Sequence, residues 1–331
     1  MSDIPQRNGN PPPGQLFLDD VDMWDAAFFG IGPQEARVMD PQQRVFLELA
    51  WSALENAGYD SQSFDGMIGV YAGVGDNHYY PTHVLSNPDL VNMVGKVIVG
   101  YGNEKDYIAT RVSYALDLTG PSVSVNTGCS TALLAVDMAF RALIDHECDI
   151  ALAGGVDIFV PQKSGFLYQP GGIFSKDGHC RPFDSQATGT MFCDGAGVLV
   201  LKRMSAALSD GDRIYAVIRG TAKNNDGANK ASFLAPSVEG QARVIAMAQA
   251  QANVLPQDIS YIEAHGTGTP LGDPIEVEAL TKVWRAQTDR KQTCWLGCIK
   301  GHIGHPTIAA GVAARRAAEH HRWHASHCAA G

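Results

Sequence analysis

Two rhythms of apolar positions alternate along this chain. In QQRVFLELAWSALENAG, residues Val45, Phe46, Leu49, Ala50, Ala53 and Leu54 recur at helical spacing, and Gly58 is a natural stop. MIGVYAGVG (67–75) is instead a continuous apolar run that ends in glycines, the mark of a buried strand. The same strand pattern returns at 123–126, 149–160 and 195–202, with an apolar helix, TALLAVDMAFRALI, directly after the first of these. Further on, 213–227 predicts a strand running into a turn, 239–252 a helix, and 259–269 a strand opening into a Gly/Thr loop. A helix at 274–284, a strand at 294–300 and the start of a helix at 308–314 complete the series. Strands alternating with helices predict an α/β fold with helices on both faces of its sheets. Both halves carry a strand-to-helix corner with reactive residues, which hints at internal duplication.

Composition narrows the class. Apolar residues make up 45% and charged residues 18% of the 331 positions, the balance of a compact soluble protein. A formal net charge of −10 argues against a nucleic-acid partner. Seven cysteines, odd in number and widely spaced, predict free thiols in a reducing compartment, and no second cysteine pair completes a zinc site around Cys294 and Cys298. Residues 1–15 are polar and Pro/Gly-rich, predicting disorder. They lack the apolar stretch of a signal peptide, and no apolar run is long enough to suggest a membrane span, so a cytoplasmic location is expected.

Three residues at strand-to-helix corners carry candidate chemistry. Cys129 in NTGCSTALLAV (126–136) precedes an apolar helix, where unpaired N–H groups and the positive dipole end are expected to lower a thiol's pKa. Gly128 permits the sharp turn that holds a nucleophile out at a strand end. The plain alternative is a small buried cysteine. His265 in EAHGTGTPLGDPIE (263–276) follows an apolar strand, and the hydroxyls of Thr267 and Thr269 beside it suit an amide-bearing substrate. The plain alternative for a loop histidine is a surface residue. His305 in KGHIGHPTIAAG (300–311) lies five residues after Lys300, again where a strand gives way to a helix. One thiol with two histidines points to thioester chemistry: the thiolate accepts an acyl group, and neutral imidazoles donate hydrogen bonds to a second thioester carbonyl. A cysteine protease would need a single histidine base oriented by Asn or Asp.

At these blocks the sequence resembles the β-ketoacyl synthases, specifically the ketosynthase domains of modular type I polyketide synthases and their hybrid relatives. The resemblance begins at DVDMWDAAFFGIGPQEARVMDPQQRVFLELAWSALENAGYD (20–60) and continues through GNEKDYIATRVSYALDLTGPSVSVNTGCSTALLAV (102–136). It resumes at 178–202, NNDG (224–227), EAHGTGTPLGDPIE and GCIKGHIGH, covering about nine-tenths of the chain in family order. It implies a thiolase-like fold of five alternating helix and sheet layers, α/β/α/β/α, made from two similar halves that divide near residue 210, with the domain spanning 16–313. It further implies Cys129 as acyl acceptor, with His265 and His305 polarising the extender's carbonyl and assisting decarboxylation. Lys300 and Glu276 match residues that hold the charge network, and Thr267 and Thr269 match contacts to a phosphopantetheine arm. The implied reaction is a decarboxylative Claisen condensation of the Cys-bound acyl group with a malonyl-type thioester on acyl carrier protein. No cofactor or metal is expected in the domain, and a homodimer is expected.

Several positions depart from the family pattern. Gly128 stands where alanine is commoner, His302 where asparagine is usual, and Cys193 and Asp194 where other small or polar residues are found. His302 is expected to place a bulky ring near Lys300 and His305. The family's first strand and its later Gly-rich closing segment, which supplies one oxyanion-hole donor, have no counterpart here, so the domain is expected to be incomplete at both ends. Residues 314–331, ARRAAEHHRWHASHCAAG from Ala314, form an atypical tail. A reading-frame change or gene fragment accounts for it better than metal binding through His320, His324 and His327. A thiolase-type relative without decarboxylation would carry a second cysteine at the later site, and a noncatalytic scaffold would lack Cys129.

Overall fold

The computed structural model describes residues 15–166 and 168–315; the tail histidines and the N-terminal segment before residue 15 lie outside the described residues. Helix α1 (Pro33–Val38) leads into α2 (Pro41–Ala57), whose start is set by Asp40: its carboxylate accepts from Gln42 N–H while Pro41 fills the first turn. Gly58 ends α2 in the left-handed conformation that the sequence predicted, at φ 82°. Strand β1 (Ile68–Val74) follows, then the short helices α3 (Pro88–Val94) and α4 (Lys96–Tyr101), then α5 (Ile108–Leu116) and β2 (Ser122–Ser124). Helix α6 (Thr131–Ile144) returns the chain to β3 (Ile150–Asp157), and β4 (Gly195–Lys202) precedes α7 (Met204–Asp210).

These four strands form one sheet in the order β2-β1-β3-β4, parallel except for β4. Strands β1 and β3 are buried along their whole length, which explains why both read as unbroken apolar runs rather than alternating ones. Phe46, Leu47, Val70, Ile108 and Leu152 form the core between the sheet and helices α2 and α5. Helix α6 covers the opposite face, where Ala135, Ala139 and Ala142 pack on Tyr71 and Ala153. Gly73 is required for that approach: a Cβ there would lie 2.0 Å from the Thr131 methyl at the helix start.

The far side of α6 meets the second half of the chain. Asp137, 3% exposed, accepts from Thr221 Oγ1 at 2.7 Å, from Arg141 Nε at 3.2 Å and from Lys223 Nζ. The second half holds α8 (Val238–Ala252), β5 (Tyr261–Glu263), α9 (Gly272–Arg285), β6 (Trp295–Gly297) and α10 (Lys300–Ile303). Strands β5 and β6 pair in parallel, and α8 packs on α9 through Ala242, Ala279 and Val283. Layers of helix, sheet, central helix, sheet and helix therefore follow one another as expected.

Two expected strands are shorter or differently built. Residues 213–220 form no strand among the described residues, so the apolar run joins no ladder and Ile214, Tyr215 and Val217 stay 39–54% exposed. The strand expected over 294–300 is only three residues long, because the chain turns at Cys298 into α10.

Candidate active site

Cys129 sits on a tight corner between β2 and α6. Gly128 adopts φ +63°, with nothing within 4 Å of where a Cβ would stand, so the glycine serves backbone conformation rather than space. The corner is tied by its own polar groups: Thr127 N–H donates to Thr131 Oγ1 at 2.8 Å, and Ser130 Oγ donates to the Thr127 carbonyl at 3.0 Å. This is the strand-end turn the sequence predicted.

His265 leaves the end of β5 and is held by Glu276 on α9. The two carboxylate oxygens of Glu276 accept from His265 N–H at 2.7 Å and Gly266 N–H at 2.9 Å. Burial raises the pKa of Glu276, and those two N–H groups pull it back. His305 is anchored differently. Its N–H donates to the Met191 carbonyl at 2.7 Å, and its carbonyl accepts from Cys193 N–H at 3.2 Å. The Thr307 N–H donates to His305 Nδ1 at 3.2 Å, so Nδ1 is the bare nitrogen and Nε2 carries the proton.

These parts converge. Sγ of Cys129 and one ring nitrogen from each of His265 and His305 all lie within 4.8 Å of one another. The two imidazoles meet edge to face, with centroids 5.3 Å apart and planes at 86°. Lys300 lies beneath them at 2% exposure, and its charge reaches Cys129, Glu276 and both histidines. Burial, then the Lys300 charge, lowers the pKa of His265 to about 4, although one edge of the residue stays open to solvent. Burial, then His265 and Lys300, lowers that of His305 to about 2. Both rings are therefore neutral at physiological pH, each with one N–H to donate.

For Cys129 the expected direction of the pKa shift is reversed. Burial pushes its thiol above the ordinary value, and the nearby Lys300 charge opposes that shift without overcoming it.

The other sequence-derived positions also find places. Thr267 and Thr269 are partly exposed beyond His265, with their hydroxyls 3.0 Å apart and Thr269 Oγ1 accepting from Gly272 N–H at 3.1 Å. His302 is exposed on α10, in contrast to Lys300 and His305, each 2% exposed, so its ring stays outside the buried cluster. Asp194 anchors loops, accepting from Leu18 N–H, Phe159 N–H and Gln162 Nε2. Buried Cys193 contributes its backbone N–H to the carbonyl of His305. Sequence reasoning missed Glu263, whose Oε1 accepts from Ile299 N–H at 2.6 Å, and the thiol of Cys298. A carboxylate closing an apolar strand was the available signal for Glu263. The Thr307 N–H had none.

The Cys-His-His group has the residue types of a metal site. Its second contacts oppose that use: a metal-bound histidine donates its remaining N–H, whereas Nδ1 of His305 accepts one and leaves Nε2 without a lone pair. The set is built to donate.

Comparison with known proteins bears directly on these features. The family described as "Beta-ketoacyl synthase, N-terminal domain" matches residues 2–207, and "Beta-ketoacyl synthase, C-terminal domain" matches 215–318. The chain is 48% identical over 303 residues to a phenolphthiocerol/phthiocerol polyketide synthase polypeptide of Mycobacterium tuberculosis, covering 89% of this chain and 20% of that protein. It is 45% identical over 291 residues to erythronolide synthase EryA3 of Saccharopolyspora erythraea, covering 88% and 9% respectively. Among solved structures, ketosynthase twelve of the bacillaene polyketide synthase from Bacillus amyloliquefaciens superposes with a TM-score of 0.86 at 40% identity, over 93% of this chain and 54% of that one. The chain thus spans a fifth or less of these curated relatives and about half of the solved domain.

Proposed function

The chain belongs to the β-ketoacyl synthase family with a thiolase-like fold, and from that premise we propose that it condenses an acyl group on Cys129 with a malonyl-type extender. The observation that carries this reading is the convergence of one thiol on two neutral histidines, one of them fixed as an Nε2–H donor by Thr307. In the first step Cys129 Sγ attacks the carbonyl of an acyl thioester, loses its proton, and releases the carrier's thiol. In the second, the carboxylate of the extender leaves as carbon dioxide. The electron pair passes to the thioester oxygen, where the N–H donors of His265 and His305 meet the developing charge. The resulting carbanion attacks the acyl carbonyl, and Cys129 leaves and regains a proton.

The partly exposed hydroxyls of Thr267 and Thr269 suit the amides of a phosphopantetheine arm, which makes an acyl carrier protein the partner in both steps. Glu276 and Lys300 serve the site by holding His265 and its charge environment. The outer edge of β2, which pairs with no further strand among the described residues, and the exposed Val97, Ile98 and Tyr101 of α4 favour a homodimer.

Intact-mass and peptide mass spectrometry test the assignment. Incubation with an acyl thioester should add one acyl mass to the peptide bearing Cys129, and Cys129→Ala should abolish it. Extender turnover should then release carbon dioxide. A folded chain acylated elsewhere, or equally in the variant, would overturn the reading.

A further inference from the structure

The His265–Gly266 backbone is gripped from two sides. Glu276 takes both N–H groups, as described above. Both carbonyls face a single side chain: Cys298 Sγ lies 3.3 Å from the Gly266 oxygen and 3.5 Å from that of His265. Because a carbonyl cannot donate, the thiol is the donor, its single S–H shared between the two oxygens. Contact reinforces this, since a Cβ built on Gly266 would lie 2.9 Å from the same sulfur.

Cys298 stands where the β5–β6 ladder runs out. The last backbone link is Ala264 N–H to the Gly297 carbonyl at 2.8 Å. Past it the two chains separate, one toward His265 and the other toward Lys300 and His305. Side chains continue the register: Glu263 on one chain reaches Ile299 N–H, and Cys298 on the other reaches the His265 loop.

We propose that Cys298 is a positioning residue for His265, its thiol fixing the loop that aims the imidazole at the extender. Cys298 touches no reacting atom in this scheme. Burial raises its pKa to about 11, which keeps the S–H donor intact through the physiological range. The inference rests on the assignment of His265 to decarboxylation, and it predicts that the two half-reactions separate.

The test uses the full chain with Cys298→Ala and Cys298→Ser. Cys298→Ala should leave Cys129 acylation at its normal rate and slow carbon dioxide release by about ten-fold, the scale of a small misplacement of a reacting group. Cys298→Ser, which keeps a donor, should restore most of the loss. A second measurement does not depend on turnover: the ring NMR signal of His265, identified by its loss in His265→Ala, should shift in Cys298→Ala and return in Cys298→Ser. The proposal is overturned if the alanine variant leaves that signal unmoved, if it slows both half-reactions alike, or if serine does no better than alanine. Failure of wild-type Cys129 to acylate would instead count against the proposed function, and leaves the NMR result to decide the role of Cys298.

Discussion

The half of the molecule that holds the nucleophile and the half that supplies the histidines are built on different principles. Cys129 follows a four-stranded sheet whose inner strands are wholly buried, with α6 packed so closely that Gly73 admits no side chain. His265 follows a two-stranded ladder of three residues per strand, in which Trp295 is 80% exposed and Leu296 40%. Apolar burial places the first group. Polar ties place the second: Glu276 and Cys298 around His265, Glu263 to Ile299, and Thr307 on His305. Burial of this kind is spread over many residues, whereas a tie depends on a few atoms. The histidines should therefore be the more sensitive to single polar changes, while the nucleophile's half depends on apolar burial and on the local ties of Thr131 and Ser130 at its corner.

The largest expected effect breaks the comparison at its apolar end. Leu152→Ala, fully buried at the middle of β3, should cost about 2–5 kcal/mol in chemical denaturation. Trp295→Ala, the largest side chain of the short ladder, should stay within about 0.5 kcal/mol because so little of it is buried. Equal losses would mean that the second half has a core of the same kind.

A smaller effect, on rate rather than stability, probes the polar end. Glu276→Ala leaves the N–H groups of His265 and Gly266 without their acceptor and should slow decarboxylation by about 10- to 100-fold, with Cys129 acylation little changed. Glu276→Gln keeps one acceptor oxygen and should fall between. Parallel stopped assays of the two half-reactions read the difference.

The smallest effect lies where the halves meet. Asp157 ends β3, is 6% exposed, and has a pKa raised to about 7, first by burial and then by Asp76 and Asp194. A raised carboxyl pKa means that the native state holds a proton the unfolded chain releases above about 4. The contribution is thus complete below that pH and is lost as pH rises through about 7. Thermal melts of Asp157→Asn should gain on the wild type from pH 4 to pH 8, the gain levelling off above about pH 7. An unchanging difference across that range would show that Asp157 does not titrate there.

How much of this was legible in the sequence follows the same division. The apolar runs of β1, β3 and β4 and the spacing in α2 and α6 were readable because each element buries a continuous face, and burial leaves a local pattern. The run at 213–220 was misread for the same reason: apolar residues announce a strand but not the ladder it needs, and among the described residues no strand forms there. Cys129, His265, His305, Lys300, Glu276, Thr267 and Thr269 were all named from their motifs; the structure brings the thiol and both imidazoles together, ties Glu276 to the His265 backbone and sets Thr269 beside Thr267.

The sequence by itself determined the residue types, their strand-end corners and the order in which the chain visits them, because these depend on local periodicity and turn chemistry. Tertiary structure alone decided three things. Burial lifts the pKa of the Cys129 thiol above its ordinary value, because the cost of burying charge depends on every surrounding atom. The tautomer of His305 is set by an N–H two residues along, through a backbone conformation no motif encodes. And the orientation of His265 depends on Cys298, 33 residues away, since hydrogen bonds between separate loops exist only once the fold has brought them together.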